Sequence, residues 1–144
     1  DLVVLDLNVD GYIPSSYIEG EVLKAQIYKK LANIASKEDL LKLLEEVTER
    51  LGPVPSELEN LFLLANTRIL AKACHLSKIK REKGGFLLFL REEHYNMDIL
   101  QKFRDKFNGE VFFGEGAITV KLPNKLYLLE HVLKELAGTV ANFH

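Results

Sequence analysis

Between residues 36 and 76 apolar and polar positions recur with helical spacing. Leu40, Leu43, Leu44, Val47 and Leu51 fall at i, i+3, i+4, i+7 and i+11, one continuous stripe that predicts a helix over 37–51. Ser36 stands where its hydroxyl can accept one of the orphan N–H groups of the first turn, and Glu38 and Asp39 follow where the helix dipole favours negative charge. Gly52 suits the left-handed residue that ends a helix, and Pro53 and Pro55 block its continuation. Ser56-Glu57-Leu58-Glu59 has capping-box spacing and opens a second helix, expected over 56–76. Its stripe of Phe62, Ala65, Ile69, Ala73 and Leu76 is broadened by Leu58, Leu61 and Leu70, so it is buried on more than one side.

The remaining chain reads as packing around this pair. Residues 1–8 are apolar and partly β-branched and predict a strand, which Gly11 and Pro14 interrupt. Two tyrosines and two isoleucines within 12–18 predict an extended connector pinned to the core. A helix over 21–35 carries Leu23, Ile27, Leu31 and Ile34 on one face. Residues 78–91 predict a hairpin that turns at Lys83-Gly84-Gly85, and its wholly apolar run 86–90 reads as a strand buried on both faces. Asn96 caps a helix over 97–107 that Asn108-Gly109 ends, with Ile99, Leu100, Phe103 and Phe107 inward. Residues 110–113 and 117–122 form a second hairpin about Gly114-Glu115-Gly116. Asn124 caps a last helix to about 138, and residues 139–144 are expected to fray. The sum is an α+β fold: amphipathic helices at about 21–35, 37–51, 56–76, 97–107 and 124–138, packed with a small, mainly antiparallel sheet of an N-terminal strand and two hairpins.

Composition narrows the class. A chain of 144 residues, 47% apolar and without an apolar run of membrane-spanning length, predicts one globular domain. A net charge of −2 argues against a dedicated nucleic-acid binder. The single cysteine, Cys74, excludes an internal disulfide and fits a reducing compartment. The first residue is Asp1 within a strand-like run, which points to a fragment of a longer protein.

No stretch carries a recognisable catalytic constellation, and no cofactor motif is present. His75, His94 and His131 are scattered without partners at metal-ligand spacing, and Cys74 lies in a helical apolar stretch where inert burial is the common case. The glycine pairs read as hairpin turns, since neither opens a helix with a phosphate-loop fingerprint. Lys78, Lys80, Arg81 and Lys83 form a basic cluster interrupted by Glu82. A lysine-protected strand edge explains it as well as an accessory nucleic-acid contact does. The acidic group Glu45, Glu46 and Glu49 faces away from the leucine stripe. It reads either as a solvated face with Lys42–Glu46 and Glu46–Arg50 pairs, or as a docking face for an arginine-bearing partner.

Four segments taken in order carry a family resemblance. They are Tyr12-Ile13-Pro14-Ser15-Ser16-Tyr17-Ile18, then Ile27-Tyr28-Lys29-Lys30-Leu31, then Glu46-Val47-Thr48-Glu49-Arg50-Leu51-Gly52-Pro53-Val54-Pro55, then the long helix with Arg68 and Ala71. Together they resemble the C-terminal domain of the bacterial transcription-repair coupling factor (Mfd), over nearly the whole chain. The resemblance implies a single regulatory domain, 1–144, that is not itself an enzyme. It would belong to a cytoplasmic, ATP-driven DNA translocase that displaces stalled RNA polymerase and recruits nucleotide excision repair through UvrA. In that family the domain packs on the parent's UvrB-like N-terminal module, hides the UvrA-binding surface and helps hold the motor repressed. Polymerase contacts then fall to other parent domains, and neither a membrane nor a cofactor is implied. By position the family's acidic contact residues match Glu46 and Glu49, with Glu45 beside them. Glu49 stands for the commoner Asp, Lys24 for the usual Arg and Leu51 for Phe.

Overall fold

The computed structural model describes residues 2–107, 110–123 and 126–143. The chain divides into two compact units, Val9–Ile69 and Asp1–Asn8 with Leu70–His144.

The unit Val9–Ile69 is helical. It holds α1 (Glu21–Asn33), α2 (Lys37–Leu51) and most of α3 (Ser56–Ala73). Ile27 and Leu31 of α1, Leu40, Leu43 and Val47 of α2, and Leu58, Phe62 and Ala65 of α3 form one buried cluster with Ile13 and Ile18. The connector before α1 is pinned as its composition predicts. Ile13 N–H donates to the Tyr28 hydroxyl at 2.8 Å, the Tyr17 hydroxyl donates to Gly52 O at 2.7 Å, and Tyr12 N–H donates to Glu57 O at 3.2 Å. Helix α2 spans the residues its pattern sets, because cap, stripe and stop agree. Asp39 N–H donates to Ser36 Oγ at 3.1 Å, and Gly52, at φ +89°, closes the last turn onto Thr48 O at 2.9 Å. Helix α1 stops at Asn33, two residues before the expected end, where Ile34 turns extended.

The other unit is built on a five-stranded mixed sheet, ordered β1-β2-β3-β5-β4. Its strands are β1 (Val4–Asp6), β2 (Leu76–Glu82), β3 (Gly85–Leu90), β4 (Val111–Gly114) and β5 (Ala117–Lys121). Only β1 and β2 run parallel, with Leu5 opposite Ile79. The other neighbours are antiparallel, as the two hairpins require. Helix α4 (Met97–Asp105), capped by Asn96, packs against β4 and α5 (Leu126–Ala141).

Several boundaries differ from the sequence reading. Helix α3 ends at Ala73 rather than residue 76, because His75 adopts φ +55° and its carbonyl accepts Arg91 N–H at 3.0 Å. Leu76 therefore opens β2 instead of extending the helical stripe. A 3₁₀ turn at Glu92–His94, which has no periodicity to announce it, precedes α4. Helix α4 stops at Asp105 in a tight turn, Lys106 N–H onto Phe103 O. Both Asn108-Gly109 and the expected cap Asn124 lie outside the described residues. Helix α5 runs on to Ala141, because Thr139 and Val140 are buried and Lys106 Nζ reaches Thr139 Oγ1 at 3.0 Å; burial overrides the expected fraying.

Strand β3 was expected to be covered on both faces. Register pairs Phe86 with Arg81 and Val120, and Leu88 with Ile79 and Ile118; this side is covered, with Leu88, Ile79 and Ile118 fully buried. Leu87 and Phe89 point to the opposite side, where the register sets them against Lys80 and Lys78, and are half-buried. Lys78 Nζ lies 5.6 Å from the Phe89 ring centroid.

Gly85 tests the sheet. A Cβ there would lie 2.0 Å from Val120 O, at φ +157°, whereas a Cβ at Gly114 meets nothing within 4 Å. Gly85→Ala should lower unfolding stability by about 3 kcal/mol in urea melts, and Gly114→Ala by under about 0.5 kcal/mol. Equal melts for the two variants would contradict the β3–β5 register.

Candidate functional site

Burial of Leu40, Leu43 and Val47 turns the polar side of α2 to solvent, and that side consists of two distinct rows. The first follows i, i+4 spacing through Glu38, Lys42, Glu46 and Arg50. Here Lys42 Nζ sits 3.4 Å from Glu38 Oε1, and Glu46 Oε1 sits 3.8 Å from both Arg50 Nη1 and Lys30 Nζ of α1. The expected Glu46–Arg50 pair is therefore present, while Lys42 chooses Glu38 over Glu46. These pairs are solvent-exposed and worth at most about 1 kcal/mol each. Their consequence is local neutralisation: Glu46 already faces two cations. Beside it, between α1 and α2, lies an open groove of ≈ 350 Å³ bordered by Lys30, Ile34, Asp39, Lys42 and Leu43.

The second row is Leu41, Glu45 and Glu49. Leu41 is 54% exposed, and among the described residues neither carboxylate makes an ion pair. An apolar side chain beside two uncompensated carboxylates can seat an arginine, its guanidinium on the acids and its stem on the leucine. The sequence reading named the acids and missed Leu41, whose place one position outside the leucine stripe was the available signal. Lys24 is used within its own unit. Its side chain is 13% exposed, donates to Ser15 Oγ at 2.8 Å and lies 3.5 Å from Glu21 Oε1, tying α1 to the connector.

The basic hairpin does not present a single face. Lys78 and Lys80 lie on the half-covered side of the sheet, and Lys80 Nζ is 4.0 Å from Glu82 Oε1. Arg81 lies on the other side, donating from Nη1 to Leu7 O at 3.1 Å. The glycine pairs are hairpin turns, with Gly84 at φ +87° and Gly116 at φ +73°. Among the described residues no group of three or more His, Cys, Asp or Glu is placed to hold a metal ion. The histidines are less scattered than the sequence implied, however: His75 and His94 stack with ring centroids 3.7 Å apart.

Fold and surface together define an α+β domain with a helix-borne acidic face. A family model described as the TRCF domain matches residues 7–100, and the chain belongs to that family. It is 36% identical over 80 residues to a transcription-repair-coupling factor of Borreliella burgdorferi, covering 56% of this chain and 7% of that protein. It is 33% identical over 89 residues to the Bacillus subtilis protein of the same name, covering 62% and 8%. With that of Staphylococcus haemolyticus it shares 31% identity over 111 residues, covering 77% and 9%. The chain thus spans less than a tenth of the length of these relatives. Its fold matches a crystal structure of the C-terminal domain of transcription-repair coupling factor with a TM-score of 0.80 at 19% identity, covering 97% of this chain and 92% of that one. No described helix is long and apolar enough to cross a membrane.

Cys74 is fully buried and its thiol donates to Leu133 O at 3.2 Å. Burial pushes its pKa up to about 12, against an ordinary value of 9.0. Well below pH 9 the thiol is neutral in folded and unfolded chains alike, and as pH approaches 9 the unfolded chain begins to ionise it. Between 9 and about 12 only the unfolded chain loses the proton, so this group's contribution to stability falls as pH rises. The folded chain should therefore react with a disulfide reagent at pH 8 at least about a hundredfold more slowly than the chain in 6 M guanidinium. Equal rates would show that Cys74 is accessible.

Proposed function

We propose that this chain is an autoinhibitory docking domain. In this reading its acidic helix face covers an arginine-bearing surface on a UvrB-like module of its parent, and so masks the site at which UvrA binds. The same docking restrains an ATP-dependent DNA translocase carried elsewhere in that parent. The observation that carries the reading is the row Leu41–Glu45–Glu49, an exposed apolar residue beside two carboxylates that make no ion pair among the described residues. Family membership and the match of Glu46 and Glu49 to the family's acidic contact positions support it. An intramolecular mask needs only modest intrinsic affinity, because tethering supplies a high effective concentration. A face whose docking rests on a few charge-assisted bonds suits a contact that has to be released.

Within this face the acids are not equivalent. Glu46 must leave Lys30 and Arg50 to meet a partner, whereas among the described residues Glu45 and Glu49 have no such prior engagement. Binding of the 144-residue chain to the isolated UvrB-like module, measured by calorimetry, should weaken about tenfold or more for Glu46→Lys with Glu49→Lys. Glu49→Lys alone should account for most of that loss and Glu46→Lys alone for little. UvrA should displace the chain. Unchanged docking by the double variant, or a ternary complex with UvrA, would overturn the assignment.

A further inference from the structure

The second unit contains a pocket of ≈ 310 Å³, bordered by Val3, Lys72, His75, Arg91, Glu93 and His94, that no part of the docking reading uses. Its side chains come from separate parts of the sequence. Lys72 lies in the last turn of α3, His75 in the left-handed turn that follows, Arg91 directly after β3, and His94 at the end of the 3₁₀ turn. Backbone bonds fix this corner. Arg91 N–H donates to His75 O at 3.0 Å, His94 N–H to Arg91 O at 3.1 Å, and the Tyr95 hydroxyl to Cys74 O. The Arg91 guanidinium is held through Nη2, which donates to Leu2 O at 2.8 Å, and it has further N–H donors. The two imidazoles stack with an interplanar angle of 5°.

We propose that this pocket is a phosphate-binding site, in which Arg91 and Lys72 supply permanent positive charge and the stacked His75–His94 pair supplies titratable donors. Arg91 offers a planar fork and Lys72 a mobile point charge, the usual pair of phosphate donors. Among the described residues bordering the pocket, the opposing charge is Glu93, whose Oε1 is 4.0 Å from His94 Nε2. Concentrating these groups against one carboxylate runs counter to the chain's net charge of −2. The volume is near the lower end for small-ligand pockets, about 300 Å³, enough for a phosphoryl group with part of what carries it.

The test is a titration of the 144-residue chain with inorganic phosphate, read from the imidazole Cε1–H resonances. Both His75 and His94 should shift saturably as the anion fills the pocket. Arg91→Gln and His94→Gln should each weaken binding at least about tenfold at pH 6 while the far-UV spectrum is kept. Lys134→Met, away from the pocket, should change nothing. A short single-stranded oligonucleotide separates two sources of the anion: displacement of phosphate identifies a backbone phosphate, and no displacement identifies a phosphorylated small molecule. An equal response to chloride at matched ionic strength would overturn the proposal. So would absence of shifts in 20 mM phosphate, or full binding by the Arg91→Gln and His94→Gln variants.

Discussion

Burial of Leu40, Leu43 and Val47 is the constraint on which the acidic face depends. Their exposures of 5%, 6% and 3% leave α2 one rotational setting about its axis. Each such side chain stabilises by about 1.5–3 kcal/mol when removed from water, so turning the helix to hide a carboxylate would forfeit several times what any surface ion pair returns. The polar residues are therefore aimed by the apolar ones. Gly52, held through its carbonyl by the Tyr17 hydroxyl, fixes where the helix stops and so which residues can join either row. The neutralised row is set by Lys42 and Arg50 at four-residue spacing from their carboxylates, with Lys30 of α1 as a third cation.

Where several local signals agreed, the sequence was a sufficient guide. For α2 a cap, a stripe and a glycine stop coincide, and the helix spans Lys37–Leu51 as they require. The two hairpins were readable from their glycine turns, and the α+β class followed. What failed was decided by distant partners. Leu76 fits the α3 stripe by spacing, but strand pairing and the left-handed His75 place it in the sheet. The extent of α5 turns on Lys106 reaching Thr139, which no local pattern encodes. Lys42 has carboxylates at both four-residue spacings and the sequence cannot choose between them. The histidine stack needs a helix end and a 3₁₀ turn brought together by β2 and β3, so its members looked unrelated along the chain.

The two surfaces are of opposite character although the chain is nearly neutral. One unit carries an acidic helix row and the other a cationic pocket, and the formal charge of −2 conceals both. Charges beyond about 8 Å are largely screened at physiological ionic strength, so local charge at a patch matters more to a partner than the chain's total. Composition argues against a dedicated nucleic-acid binder, yet it is silent about a few cations gathered at one corner.

Strand β1 has a consequence for the order of assembly. Its neighbour in the sheet is β2, through Val4 opposite Lys78 and Asp6 opposite Lys80, and the whole helical unit Val9–Ile69 lies between them in the chain. During synthesis β1 emerges before β2 and has nothing to pair with until that entire unit has been made. The helices close over short sequence distances and can form early, while the parallel edge waits on one of the longest-range contacts in the chain. Loop closure grows only logarithmically with length, so the delay is a matter of timing more than of final stability. A strand made before the helical unit thus finds its place after it.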